Sequence, residues 1–259
     1  MKKILFVLIA IPVILWAPWF VIPETTIQSI MEDYFIGKKF HVEIHEMKKG
    51  IFYNFSANKL VVRSSTREII FFSNVHGAIN PLSLLILQLN ISVDGTVGGG
   101  NISGNVRLAK NNMQMHLDFT KAHIDQILML KRAGINGTGT LSGRFSMINN
   151  KGNIDFNTED GNFQQAEFAS VKVPLNFFNN VKGAIEINGD ILNIISVYCE
   201  GKNIYARLKG VIKDAVMDLT MEVMPGQSFI ENPFFFTELE RYKISPGYYI
   251  IPVRSNFFL

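Results

Sequence analysis

The chain carries a single cysteine, Cys199, so it forms no internal disulfide and no zinc site built on cysteine. Charge is scarce too: Asp, Glu, Lys and Arg make up 18% of the 259 residues, against about 25% in ordinary globular domains. The 25 basic and 22 acidic side chains nearly cancel, leaving +3, and they are dispersed. That excludes the concentrated basic footprint of a nucleic-acid binder. Catalytic signatures are missing as well. There is no nucleophile elbow and no HExxH. The glycine runs 137–143 and 95–104 lack the spacing, and the Gly-Lys-Ser/Thr ending, of a phosphate cradle, and they read as hairpin corners. Cys199 falls in the strand-like run 194–199 and reads as a small buried hydrophobe. The expectation is a protein that is not an enzyme and carries no cofactor.

What the chain does have is apolar surface: 47% hydrophobic residues, with 21 Phe and 20 Gly. This excludes intrinsic disorder, which needs low hydrophobicity. After Met1-Lys2-Lys3, residues 4–22 form nineteen positions without an ionisable side chain. As a helix they reach about 28 Å, close to a bilayer's hydrocarbon thickness. Ile4, Leu5, Phe6, Val7, Leu8, Ile9, Ile14 and Leu15 supply the apolar body, and Trp16 and Trp19 suit the interfacial belt. Lys2 and Lys3 favour a cytoplasmic N-terminus, which sends the rest of the chain across. The competing reading is a cleaved secretory signal, against which Trp16-Ala17-Pro18-Trp19-Phe20 offers no small-x-small site. The expected organisation is an anchor over 1–23, a membrane-proximal stalk over 24–39 and a β-rich domain over 40–259.

The body alternates with period 2, as strands with one wet and one dry face must. Met113, Met115, Leu117 and Phe119 face one way, and Gln114, His116, Asp118 and Thr120 the other. Ile102, Val106 and Leu108 oppose Ser103, Asn105 and Arg107, while Leu141, Phe145 and Met147 oppose Ser142, Arg144 and Ser146. Residues 204–212 and 215–223 alternate likewise. Asp94-Gly95, Gly98-Gly99-Gly100, Asp160-Gly161, Asn188-Gly189 and Glu200-Gly201 supply turn signals between such runs. Short helices are expected over 82–89 and 234–242, each opened by Asn-Pro, and over 123–132 with Gly134 as the stop. The fold class is therefore all-β with few short helices: a single N-terminal transmembrane helix, then an extended antiparallel meander forming a curved or groove-like sheet.

Three short helices do not cover about a dozen one-sided strands. Either the sheet folds over and seals its own core, or a partner or lipid fills the dry side. The candidate core or groove positions are Ile102, Val106, Leu108, Met113, Met115, Leu117, Phe119, Leu141, Phe145 and Met147. One segment is metal-like, with His41, Glu43 and His45 on one strand face. The alternation with Val42 and Ile44 explains these three equally as a solvated face.

Taken together, several segments carry a resemblance: Lys48-Lys49-Gly50-Ile51-Phe52-Tyr53, then 77–85 (GAINPLSLL), 98–104 (GGGNISG), 137–143 (GTGTLSG), 178–183 (FNNVKG) and Ile251-Pro252-Val253. The chain resembles the inner-membrane protein N family of the type II (general) secretion system, in its shorter δ-proteobacterial or spirochaete-like form. Its glycine-punctuated strands are also similar to those of AsmA-like proteins. The first resemblance implies a single-pass protein of the bacterial inner membrane, its bulk in the periplasm, that helps assemble or stabilise the export apparatus with other secretion-system proteins. The second implies a β-groove for phospholipid or lipopolysaccharide. An outer-membrane barrel, suggested by the aromatic C-terminus, is the third reading.

Overall fold

The computed structural model describes residues 16–17, 19–35, 40–64, 67–110, 112–168, 171–173, 175–214, 216–227 and 239–256. Residues 1–15 and 18 of the expected anchor and 36–39 of the expected stalk lie outside these, and no helix among the described residues is long and apolar enough to cross a membrane. Most of the expected 234–242 helix also lies outside; its described end is a 3-10 turn, Glu240–Tyr242.

Helix α1 (Glu24–Phe35) precedes the strands β1 (Phe40–His45), β2 (Lys48–Lys49), β3 (Asn54–Ser64) and β4 (Arg67–Ile79). Helix α2 (Pro81–Leu84) leads to β5 (Leu89–Val97), β6 (Gly100–Ala109) and β7 (Asn112–His123), and α3 (Leu128–Arg132) to β8 (Gly137–Ile148) and β9 (Lys151–Phe163). The short pair β10 (Ala166–Phe168) and β11 (Val171–Val173) precedes β12 (Asn180–Asn188), β13 (Ile191–Gly201), β14 (Ile204–Lys213) and β15 (Val216–Pro225). The last strands are β16 (Lys243–Ser245) and β17 (Tyr248–Asn256). All but β10 and β11 join one 15-stranded sheet in the order β1-β3-β4-β5-β6-β7-β8-β9-β12-β13-β14-β15-β17-β16, with β2 beside β3. Nearly every strand pairs with its neighbour in the chain, so the sheet is an antiparallel meander with two separate ends rather than a closed barrel. The all-β class and the meander expected from period-2 alternation are what the chain adopts.

The chain divides into two compact units, residues 1–96 with 103–113, and residues 97–102 with 114–259. In the first, α1 lies against β1. Ile27 and Met31, four residues apart on one helix face, are buried. The Ile44 N–H donates to Glu32 Oε1 at 2.8 Å, and Gln28 Nε2 donates to the Ile44 carbonyl at 2.7 Å. An edge strand offers unpaired backbone groups to any passing strand, and here the helix occupies them at Ile44. Phe55 and Gly77 pair in register, and the Phe55 ring lies where a Gly77 side chain would be, so glycine is required at 77.

The second unit repeats that device. Phe119, Gly143, Phe156, Gly183 and Val197 stand opposite one another on successive strands. A Cβ at Gly143 would sit 2.7 Å from the Phe119 ring, and one at Gly183 would sit 2.9 Å from the Phe156 ring. Each ring thus occupies the space a side chain at the neighbouring glycine would fill.

Some local expectations are corrected. The helix expected over 82–89 stops at Leu84, although its start is as expected: the Leu82 N–H donates to Asn80 Oδ1 at 3.0 Å and Pro81 follows the cap. The chain then turns through Leu87, in the left-handed region at φ 55°, and enters β5. Residue 123 ends a strand, and the 123–132 helix reduces to a 3-10 turn (Ile124–Gln126) and α3. Asp94-Gly95 and residues 137–143 are strand interior, not corners. Asp160-Gly161 also lies inside β9, where the register slips opposite Gly139. Its positive φ serves a bulge rather than a turn.

Candidate functional site

Residues paired in register share a sheet face, so the pairing of the second unit defines two surfaces. One is polar. Asp118, Arg144, Asp155, Ala184 and Ser196 form one row across it, and Ser142, Asn157, Lys182, Tyr198, Arg207 and Glu222 the next. A shallow open groove of about 590 Å³ runs along these rows. Its polar groups are spent on one another: Arg144 Nε donates to Asp118 at 3.0 Å, Lys182 Nζ to Glu200 at 2.9 Å, and the neutral Asn153 Nδ2 to Asp155 at 3.0 Å. Arg207 donates to Ser196 at 2.9 Å and stacks on Tyr198. Glu200's hydrogen bond raises the Lys182 ammonium further above neutrality.

The other face is apolar. Leu117, Phe145, Ile154, Ile185 and Ile194 make one row, and Met115 and Met147 begin a second that continues through Ile187, Leu192, Ile212 and Met217. The Phe119–Gly143–Phe156–Gly183 row runs on through Leu208, Met221 and Ile251. Along β13, β14, β15 and β17 these rows are mostly buried, with Leu192, Leu208 and Ile212 half-buried. Ile194, Val197, Cys199, Ala206, Leu219, Met221, Val223, Tyr249, Ile251 and Val253 are all buried, with Val173, Phe178 and Leu239 packed over them. Along β7, β8, β9 and β12 the same rows are only half-buried: Met115, Leu117, Phe119, Phe145, Met147 and Ile154 keep part of their surface open, as do Phe156 and Ile185, which pack against the edge of the buried cluster.

The candidate positions therefore separate. Met115, Leu117, Phe119, Leu141, Phe145 and Met147 gather on the half-covered face of the second unit, to which Ile102 also belongs by chain. Val106 and Leu108 lie in the first unit with 6% and 3% exposure, so they are core there and line nothing open; Met113 belongs to that unit too. Phe156, Ile154 and Ile185 are members of the half-covered face that period-2 reading of 113–119 and 141–147 alone does not reach. The alternation Ile154, Phe156, Thr158 against Asn153, Asp155, Asn157 was the available signal.

His41, Glu43 and His45 lie on β1, with Ile44 between them buried. Glu43 is taken by Arg63 at 3.2 Å, and no group of three metal-ligating side chains occurs among the described residues. Cys199 is buried in the sealed rows, and desolvation pushes its thiol up to about 12, which makes it a poor nucleophile.

Trp16 and Trp19, the described members of the expected anchor, pack on the turn after β2. Trp16 meets Phe52 edge-on at 5.4 Å, and Trp19 stacks on Tyr53 at 4.8 Å. The Trp19 indole N–H donates to the Gly50 carbonyl at 2.9 Å.

The fold and this face define a class: an open antiparallel sheet with one polar and one apolar surface, the latter covered over part of its width. Comparison with known families, with characterised proteins and with solved structures returned no match.

Proposed function

We propose that this protein is a non-enzymatic, membrane-tethered β-sheet protein of the bacterial inner membrane, with its body in the periplasm, that holds the acyl chains of phospholipid or lipopolysaccharide. The chains lie on the apolar face of β7, β8, β9 and β12. One observation carries the reading: apolar rows mostly buried along β13, β14, β15 and β17 continue half-buried over these four strands. Leaving that much Phe, Met and Ile surface wet forgoes about 25 cal/mol for every Å² uncovered, a loss that an apolar occupant recovers. Methionine and flat phenyl rings suit chains of variable shape. The tether is residues 4–22, by their length and lack of charge. Native mass spectrometry of the full chain, extracted in mild detergent, tests the proposal. Phospholipid or lipopolysaccharide retained at fixed stoichiometry supports it, and a lipid-free protein refutes it.

A second reading follows the family resemblance: a component of the type II secretion system that helps assemble or stabilise the export apparatus. The feature that serves it is β16, the terminal strand of the sheet, whose three residues are all exposed, with Ile244 64% open. Such an edge accepts a strand from another protein. Unchanged secretion of every substrate after deletion of the gene rejects this reading.

A further inference from the structure

Ten of the eighteen exposed large hydrophobic side chains among the described residues lie at one end of the first unit. They are Phe20, Val21 and Ile22; Ile51 and Phe52; and Leu82, Leu84, Leu85, Ile86 and Leu87. Hydrogen bonds tie these three segments together. Lys49 Nζ donates to the Trp19 and Ile22 carbonyls, each at 2.7 Å, which holds residues 19–22 against the turn that bears Ile51 and Phe52. The Ile79 N–H donates to the Tyr53 carbonyl at 2.9 Å, so the 81–87 loop leaves the sheet beside that same turn. Bulky side chains occupy the left-handed region here, at Phe52, Tyr53 and Leu87, with φ of 56°, 63° and 55°. Such residues rarely adopt this conformation; at Phe52 and Leu87 it accompanies apolar side chains held outward, 63% and 89% exposed, while Tyr53 is buried against Trp19.

We infer that this end is a second membrane contact: the 81–87 loop and the 51–52 turn dip into the interfacial layer of the same bilayer that residues 4–22 enter. The occupant follows from continuity, because the uncharged run 4–22 ends in Phe20, Val21 and Ile22, inside this patch. A bilayer reached by that run meets the loop as well. The chemistry agrees. Leu and Ile dominate the loop, whereas protein-binding hot spots favour Trp, Tyr and Arg. The exposed Lys48 flanks the apolar tip, as basic residues do beside interfacial segments that meet anionic headgroups. Docking at a second point would fix the first unit's orientation to the membrane more firmly than residues 4–22 alone.

The inference rests on the proposed tether, and its test separates the two. Full-length C199S protein carrying one nitrobenzoxadiazole-labelled cysteine at Leu8, Ile86 or Asn188 is reconstituted in vesicles of phosphatidylethanolamine and phosphatidylglycerol. Emission is quenched by lipid-borne nitroxide or by aqueous iodide. Ile86 is expected to be dimmed several-fold by a shallow nitroxide and to lose most of its iodide sensitivity, with Asn188 behaving oppositely; interfacial burial of about 5–10 Å gives this pattern. Lipid quenching at Leu8 with Ile86 as iodide-sensitive as Asn188 overturns the second contact and leaves the tether. Iodide sensitivity at Leu8 and Ile86 alike overturns both.

Discussion

In the second unit, β13–β17 and the strands β7, β8, β9 and β12 share one apolar face yet differ in what lies over it. Over the former, Val173, Phe178 and Leu239 close a core in which Ala206, Val223, Tyr249 and Ile251 have no exposure. Over the latter the side chains are equally apolar and only half-buried. Composition and alternation do not distinguish these regions. The cover does, and it comes from the β10–β11 excursion and the segment before β16, both outside the sheet's own hairpin succession. A strand's hydrophobic face thus states a need for burial, and other parts of the chain decide whether that need is met internally.

The largest expected effect probes the sealed side. Ile251→Ala should cost about 2–5 kcal/mol in urea unfolding, whereas Ile154→Ala, the same truncation on the half-covered side, should cost about 1 kcal/mol. Equal losses would erase the distinction. Next in size is Gly183→Val. Its Cβ would sit 2.7 Å from Val197 and 2.9 Å from Phe156, an overpacking expected to cost about 1–3 kcal/mol, with partial recovery in the Phe156→Leu background. Phe145→Lys should leave the far-ultraviolet spectrum and the unfolding midpoint nearly unchanged while abolishing lipid retention. A collapse of the midpoint would place Phe145 in a sealed core instead.

The smallest effect is chemical. Burial holds the Cys199 thiol neutral, up to about 12 from its ordinary 9.0. The sign follows: the folded state favours the protonated thiol, so this contribution to stability is full below pH 9 and declines as the pH rises towards 12. At pH 8, iodoacetamide should therefore modify Cys199 only as fast as the sealed side opens, and immediate alkylation would show that side to be loose.

Much of this was legible before the structure. Period-2 alternation at 113–119, 141–147, 204–212 and 215–223 marks strands and assigns their faces, because side-chain direction is local geometry. The hairpin turns at Gly98-Gly99 and Gly189 were legible for the same reason, through positive φ. Asp160-Gly161 misleads because a bulge makes the same demand on φ as a turn. Residues 82–89 mislead because an unbroken apolar run has no period to report where a helix ends. Burial at Cys199 was legible, but depth along the alternating strands was not. Val106 and Leu108 alternate just as Leu117 and Phe119 do, yet the first pair is core and the second half-open, since depth depends on distant segments. The Phe–Gly rows, too, emerge only when register places 119, 143, 156 and 183 side by side.

The most direct measurement uses a phospholipid with a diazirine in its acyl chain. It is incorporated with the full-length protein, irradiated, and its adducts are located by peptide mass spectrometry. Adducts concentrated at Met115, Leu117, Phe145, Ile154 and Ile185, with β15 and β17 unlabelled, are the predicted outcome. Labelling that spares those five residues, or that falls equally on Met217 and Val253, would contradict it.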